Sequence, residues 1–192
     1  MALPQQSNKN ITITLEPGII PQVGRVILID GSWDVVRGAS MGMAVYNRRD
    51  DLVYVKYKGG EGGDPFHAEA RAVWKTFEYV LQGEQEGMFH IFSDCKPLVN
   101  AILKKQTEGL PSWRAAETVK RCWTSYYQMR HRITLQHISR KAVQTHHNMA
   151  NWARRSGKEG SGTPIQCQIA HLEVTYDFCS RINFFFFKRR TA

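Results

Sequence analysis

The chain has 192 residues, 42% of them apolar, which is enough for one well-buried core and too few for two. Its formal charge of +9 and isoelectric point near 9.6 point to a polyanionic partner such as nucleic acid, or less specifically to an anionic surface. The four cysteines, Cys95, Cys122, Cys167 and Cys179, lack Cys-x-x-Cys spacing, which argues against a zinc ribbon and leaves free thiols in a reducing compartment as the expectation.

Residues 1–24 are polar and carry prolines, with one alternating run at Ile11–Leu15, and read as an N-terminal extension holding at most one edge strand. The first eight residues have neither the basic region nor the apolar run of a secretory signal. The ordered domain is expected over 25–157. It opens with three strand signals, Val26–Asp30, Gly42–Asn47 and Leu52–Lys58, the last two separated by Arg48–Asp51, a connection of hairpin length. An antiparallel meander is the simplest arrangement.

Gly59, Gly60, Gly62 and Gly63 break that pattern, and Asp64-Pro65 supplies an N-cap followed by proline at the first helical position. Ala70, Val73, Trp74, Phe77 and Leu81 form an apolar stripe at helical spacing, and Gly83 is placed to end the helix. Met88–Phe92 is too short for a helix and closes as a strand on Ser93-Asp94. Pro97, Leu98, Val99 and Ile102 carry a second helix; Ser112 caps a third, in which Ala116, Val119, Trp123 and Tyr126 share a face. Ile133, Leu135 and His137 alternate as a fifth strand, and a last helix runs from about Thr145 to Arg155, ending at Gly157. Residues 158–192 are expected to form a poorly ordered tail. Its Phe184–Phe187 run is far shorter than the roughly 20 apolar residues of a membrane span. No membrane association is expected.

Three acids stand out in this frame. Asp30 ends one apolar strand, Glu69 lies in the early turns of the first amphipathic helix, and Asp94 ends a second apolar strand. An unpaired carboxylate at such a position shifts its pKa and neutralises, whereas a group of them around a divalent cation satisfies all its members. Taken singly, each has an ordinary explanation as a turn residue, a dipole-favoured helix acid or an N-cap. Taken together, strand end, helix start and strand end make a candidate metal site.

Four blocks carry a family resemblance by their order and spacing: Asp30-Gly31-Ser32-Trp33; Ala68-Glu69-Ala70-Arg71; Ser93-Asp94-Cys95-Lys96; and Arg140 with Ala150-Asn151-Trp152-Ala153. Over about residues 25–157 the chain resembles the type 1 ribonuclease H domain, with similarity to its plant, retroelement-derived branch. The resemblance implies an α/β, RNase H-like fold: a five-stranded mixed sheet whose first three strands are antiparallel, with helices on both faces. It implies an endoribonuclease that hydrolyses the RNA strand of RNA–DNA hybrids with two Mg²⁺ ions held by Asp30, Glu69 and Asp94. The fourth acidic position of the family falls on His147, expected as the fourth metal ligand and catalytic residue; it is a poorer Mg²⁺ ligand than a carboxylate, which brings Mn²⁺ into consideration as the metal. Val143 stands where the family usually has asparagine. Gly31, Ser32 and Lys96 are the expected contacts to the RNA near the scissile bond, and Lys104, Lys105, Lys120 and Arg121 a candidate basic face. His137 has two readings, a loop histidine assisting product release or a partly buried strand histidine. A monomer is expected, and an intracellular place, with nucleus and cytoplasm both left open. A catalytically weakened nucleic-acid-binding module, or a retroelement remnant, is the alternative.

Overall fold

In the computed structural model the described residues are 24–47, 52–60, 63–83, 87–140, 144–157 and 159–163. Most of the expected N-terminal extension, the Arg48–Asp51 connection, Val143 and the phenylalanine run lie outside them. The elements in chain order are β1 (Arg25–Asp34), β2 (Gly38–Tyr46), β3 (Leu52–Gly60), α1 (Pro65–Gln82), β4 (Phe89–Ser93), α2 (Lys96–Lys104), a 3₁₀ turn (Trp113–Ala115), α3 (Ala116–Met129), β5 (Ile133–His137), α4 (Gln144–Ser156) and β6 (Gly160–Gly162).

These strands form one mixed sheet in the order β5-β4-β1-β2-β3-β6. β1, β2 and β3 are antiparallel neighbours, while β4 runs parallel to β1 and β5 parallel to β4. The meander follows from the short connections, and the parallel pairs follow from the helices between them, since a parallel return needs a crossover. Five strands were expected, and six are present among the described residues. β6 pairs antiparallel with Val55–Tyr57 from within the stretch assigned to the tail. Gly-Ser-Gly carries no apolar alternation, so the sequence gives β6 no strand signal.

Both faces of the sheet are covered. Because side chains alternate along a strand, Ile27 and Ile29 of β1 face α1, α2 and α3, while Val26 and Leu28 face α4. On the first face Ile27, Met43, Val73, Phe77, Ile91, Leu98 and Val119 are all fully buried. The opposite cluster is smaller and includes Tyr46, Val55, Tyr57, Phe92 and Ala153.

β1 runs on past Asp30 to Asp34 and β2 starts at Gly38, before the expected Gly42, and further details differ from the sequence expectation. The apolar stripe of α1 continues from Phe77 to Val80, whose position three residues on stays over the sheet, and leaves Leu81 47% exposed. Gly59 and Gly60 extend β3 where a break was expected. The reason at Gly59 is close approach: a Cβ there would meet the Ala153 carbonyl oxygen at 2.8 Å, so glycine lets α4 lie against the strand. The start of α1 is as expected. Asp64 accepts the His67 N–H at 2.9 Å, and Pro65 sits in the first turn.

Candidate metal centre

The parallel register of β1 and β4 pairs Ile29 with Ser93. The next residues along are Asp30 and Asp94, so two acids from strands 64 residues apart in sequence emerge side by side at one sheet edge. Glu69 comes from α1 through a gap in side-chain cover. Gly31 shares the α1 face of β1, and a Cβ added to it would lie 2.6 Å from the Glu69 backbone nitrogen and 2.7 Å from the Ala68 carbonyl carbon. Only glycine allows the helix to lie this close. The contact is used, because the Gly31 N–H donates to Glu69 Oε2 at 3.1 Å.

One ligand atom from each of Asp30, Glu69 and Asp94 lies within 4.8 Å of the others. Asp30 is fully buried, and its Oδ1 has no hydrogen-bond partner among the described residues. Burial pushes the Asp30 carboxyl above the ordinary carboxylate range, a shift opposed by its hydrogen bond to His147. Glu69 is pushed well up, first by burial and then by the charges of Asp30 and Asp94. A cation held among these acids would relieve their mutual repulsion and engage the bare Asp30 oxygen. A cluster of carboxylate oxygens suits a hard divalent ion, so the donor set fits the metal that the sequence implied.

His147 of α4 reaches the same edge. One of its ring nitrogens, Nδ1, is 2.8 Å from Asp30 Oδ2, and the side chain is 21% exposed. Arg140 stands over the group, with Nε 3.8 Å from Asp94 Oδ2 and Nη2 3.3 Å from His147 Nδ1. His147 is therefore brought to the acids as a hydrogen-bond partner of Asp30. The three carboxylates form the cluster; the imidazole closes one side of it.

The expected substrate residues are placed differently from one another. Gly31 is the close contact just described, and its backbone N–H is engaged with Glu69. Ser32 is buried: its hydroxyl donates to Asn151 Oδ1 at 2.5 Å and accepts from Arg154 Nε at 3.0 Å. Its side chain thus tethers β1 to α4. Lys96 is exposed at the first turn of α2, two residues beyond Asp94. His137 is exposed at the end of β5, opposite Ser93 in the register, so it is not a partly buried strand residue.

Sequence reasoning missed the polar clamp that holds α4. Arg154, 10% exposed at its side chain, also bonds Asp34 and Asn151, and Ser40 donates to the Ala150 carbonyl at 2.5 Å. The signal available was an arginine one helical turn beyond Asn151, on a face that also carries Ala150 and Ala153. Lys104, Lys105, Lys120 and Arg121 are exposed as expected, with Lys105 Nζ 3.7 Å from the Tyr127 ring centre and Arg121 3.5 Å from Glu117. Trp74 and Trp123 pack against the larger core while staying half-exposed; Trp123 donates to the Ala101 carbonyl at 3.0 Å. Cys122 is buried and Cys95 half-buried, both as free thiols; burial pushes Cys95 up to about 12 and Cys122 well up too, and such thiols are unreactive.

Comparison with known proteins fits this arrangement. The family model described as reverse transcriptase-like matches residues 28–153. Among solved structures, RNase H1 from the halophilic archaeon Halobacterium salinarum superposes with a TM-score of 0.57 at 14% identity, over 69% of this chain and 98% of that one. The N-terminal RNase H domain of a Mycobacterium tuberculosis protein gives 0.57 at 18% identity, over 70% and 96%. An RNase H1 isolated from compost, solved in complex with an RNA/DNA hybrid, gives 0.58 at 14% identity, over 69% and 97%. No curated protein matches the sequence. Likenesses at this identity show an RNase H-like fold, and the family match covers about two thirds of the chain. The chain belongs to the reverse transcriptase-like family.

Proposed function

We propose that the protein is a metal-dependent ribonuclease that cleaves the RNA strand of RNA–DNA hybrids. The observation that carries this reading is the convergence of Asp30, Glu69 and Asp94 within 4.8 Å on the sheet edge of an RNase H fold. A basic chain suits a polyanionic duplex. Asp30, Glu69 and Asp94 would hold divalent ions, Mg²⁺ or Mn²⁺, which when bound activate water for in-line attack on a phosphodiester and offset charge on the leaving oxygen. The chain's own residues then have separate tasks. Gly31 fixes the distance between β1 and Glu69, Lys96 offers positive charge beside Asp94, and His147 orients the Asp30 carboxylate. Residues 25–157, extended by β6, form the catalytic domain.

A second reading is favoured by one observation: His147 takes Asp30 Oδ2, where the family places an acid. On this reading the domain binds hybrids and cleaves them slowly. One experiment separates the two. The purified protein is incubated with a labelled hybrid in Mg²⁺ and in Mn²⁺, beside Asp94→Asn. Nuclease function is expected to show as cleavage that Asp94→Asn lowers by at least on the order of 100-fold while hybrid binding persists. Binding without cleavage in either metal rejects the nuclease and leaves the binding module. Equal cleavage by parent and variant rejects the metal site.

A further inference from the structure

Six of the nine net positive charges fall within residues 96–132, where eight lysines and arginines face two acids. These residues span α2, the 3₁₀ turn and α3, so the charge is concentrated on one layer of the molecule. At the start of α3, on that layer, sits Trp113, 81% exposed. A tryptophan carries roughly 150–250 Å² of surface and is usually covered. A lone exposed apolar side chain needs no explanation by itself. What sets Trp113 apart is how firmly it is presented.

The turn that carries it is tied to α1 from both sides. Ser112, which caps it, donates to Asp64 Oδ2 at 2.6 Å and accepts the Arg114 N–H at 3.2 Å. Arg114 Nη1 donates to the Gly63 carbonyl at 3.0 Å, and His67 Nε2 lies 3.3 Å from the Thr118 hydroxyl. The Arg114 guanidinium also sits 5.6 Å from the Trp113 ring centre. An aromatic ring on a clamped turn, with a cation against it, is ordered before any ligand arrives, so little conformational freedom is lost on contact. The tie to Asp64 fixes its position relative to the acids as well. Glu69 lies five residues into the helix that Asp64 caps, about 7.5 Å of rise, so the clamped turn and the triad share the N-terminal end of α1. A strand cleaved at the triad therefore has flanking nucleotides within reach of the indole.

An indole beside a cation binds the face of a nucleobase. In a duplex that face is already covered by neighbouring base pairs, whereas unpaired bases stack on aromatic side chains. We infer that Trp113 is a stacking platform for an unpaired nucleotide, so that the protein prefers hybrids bordered by a single-stranded extension over blunt ones. The occupant is nucleic acid because the surrounding layer is strongly basic. This rests on the hybrid-nuclease reading for the identity of the duplex, and not on its cleavage.

The test is a binding measurement with the full chain in chelator, so that no cleavage occurs. Hybrids with a short single-stranded extension of either strand, at either end, are compared with a blunt hybrid by fluorescence anisotropy. At least one extended hybrid is expected to bind about tenfold tighter than the blunt one. Trp113→Ala is expected to erase that preference without changing blunt-hybrid affinity, Trp113→Phe to keep part of it, and the extended hybrid to quench indole emission in the parent much more than in Trp113→Phe. Circular dichroism melts check that both variants fold, as the exposure of Trp113 leads one to expect. Equal affinity for all substrates in the parent overturns the inference, as does a preference that survives Trp113→Ala. An equal loss on blunt and extended hybrids also overturns it, by assigning the indole to the duplex. No response to any nucleic acid overturns it and turns the surface over to a protein partner. Failure of the nuclease reading shows elsewhere: a Trp113-dependent preference without cleavage in Mg²⁺ or Mn²⁺ rejects the nuclease and leaves this inference standing.

Discussion

The two faces of the sheet are held in different ways. α1, α2 and α3 cover theirs with a large apolar cluster centred on Phe77, Val73, Ile91 and Leu98. α4 covers the other with a small cluster and a polar clamp, in which Arg154, Asn151 and Ser32 bond one another and Asp34 and Ser40 complete the hold. The difference separates the parts of the site. Asp30, Glu69 and Asp94 stand on elements anchored by the larger core, whereas His147 rides on the helix held by hydrogen bonds. Apolar burial is non-directional and tolerant, while a buried polar network fails once one member is lost. The acids should therefore persist under changes that release the imidazole.

The largest change expected is at the centre of the apolar face. Phe77→Ala should cost about 3–5 kcal/mol of stability, through lost burial and the cavity left behind, and lower the whole unfolding transition in denaturant. Gly31→Ala should follow, toward the upper end of about 1–3 kcal/mol, because the atoms its methyl group meets are backbone and cannot turn away. It should also push α1 off β1 and weaken Mn²⁺ binding in titration calorimetry. A variant with unchanged metal affinity would show that Glu69 is positioned by something other than this contact.

Arg154→Ala should cost less, about 1–2 kcal/mol, as hydrogen bonds from one partly buried cation are lost. The effect should be local. Amide exchange should quicken in α4 and stay slow in α1 and β4, and uniform quickening would mean that the two faces are not held independently. The smallest effect concerns pH. The folded Asp30 and Glu69 carboxyls titrate above their unfolded values, so the folded metal-free protein binds more protons than the unfolded chain. Its stability should accordingly fall as pH rises from the ordinary carboxylate range near 4 through the raised values of these two groups. Saturating Mn²⁺ should flatten the profile, and Glu69→Gln should remove part of the slope. Stability rising over that window in the metal-free protein would contradict the electrostatics of the cluster.

Much of this was legible in the sequence wherever a residue's own chemistry declared its position. The Asp64-Pro65 start of α1 and the alternation of β1 could be read directly, because capping and periodicity are local properties. The three acids could be joined because Asp30 lies in an apolar strand, Glu69 in the early turns of a helix and Asp94 just past a second strand, elements whose types were clear. What escaped depends on close approach between distant segments. Nothing local distinguishes Gly59, which makes room for α4, from a glycine that ends a strand, and a three-residue Gly-Ser-Gly strand has no pattern. Counting along α4 brings His147 to the edge that carries the acids, but its bond there to Asp30 Oδ2 depends on the packing of α4 against β1. Ser32 was read as a substrate contact from its place beside Asp30. Its burial under Asn151 and Arg154 depends on a helix about 120 residues later in the chain.

The short β6 has a consequence for how molecules of this protein meet. An exposed sheet edge is a template on which another chain can add a strand, and such additions lead to aggregation. Here the outer flank of β3 is taken along Val55–Tyr57 by Gly160–Gly162, a segment with one side chain larger than hydrogen. A chain arriving there would find few free amides in line and almost no side chains to pack against. If the proposed polyanionic substrate gathers many copies of this basic protein, that edge favours their staying apart.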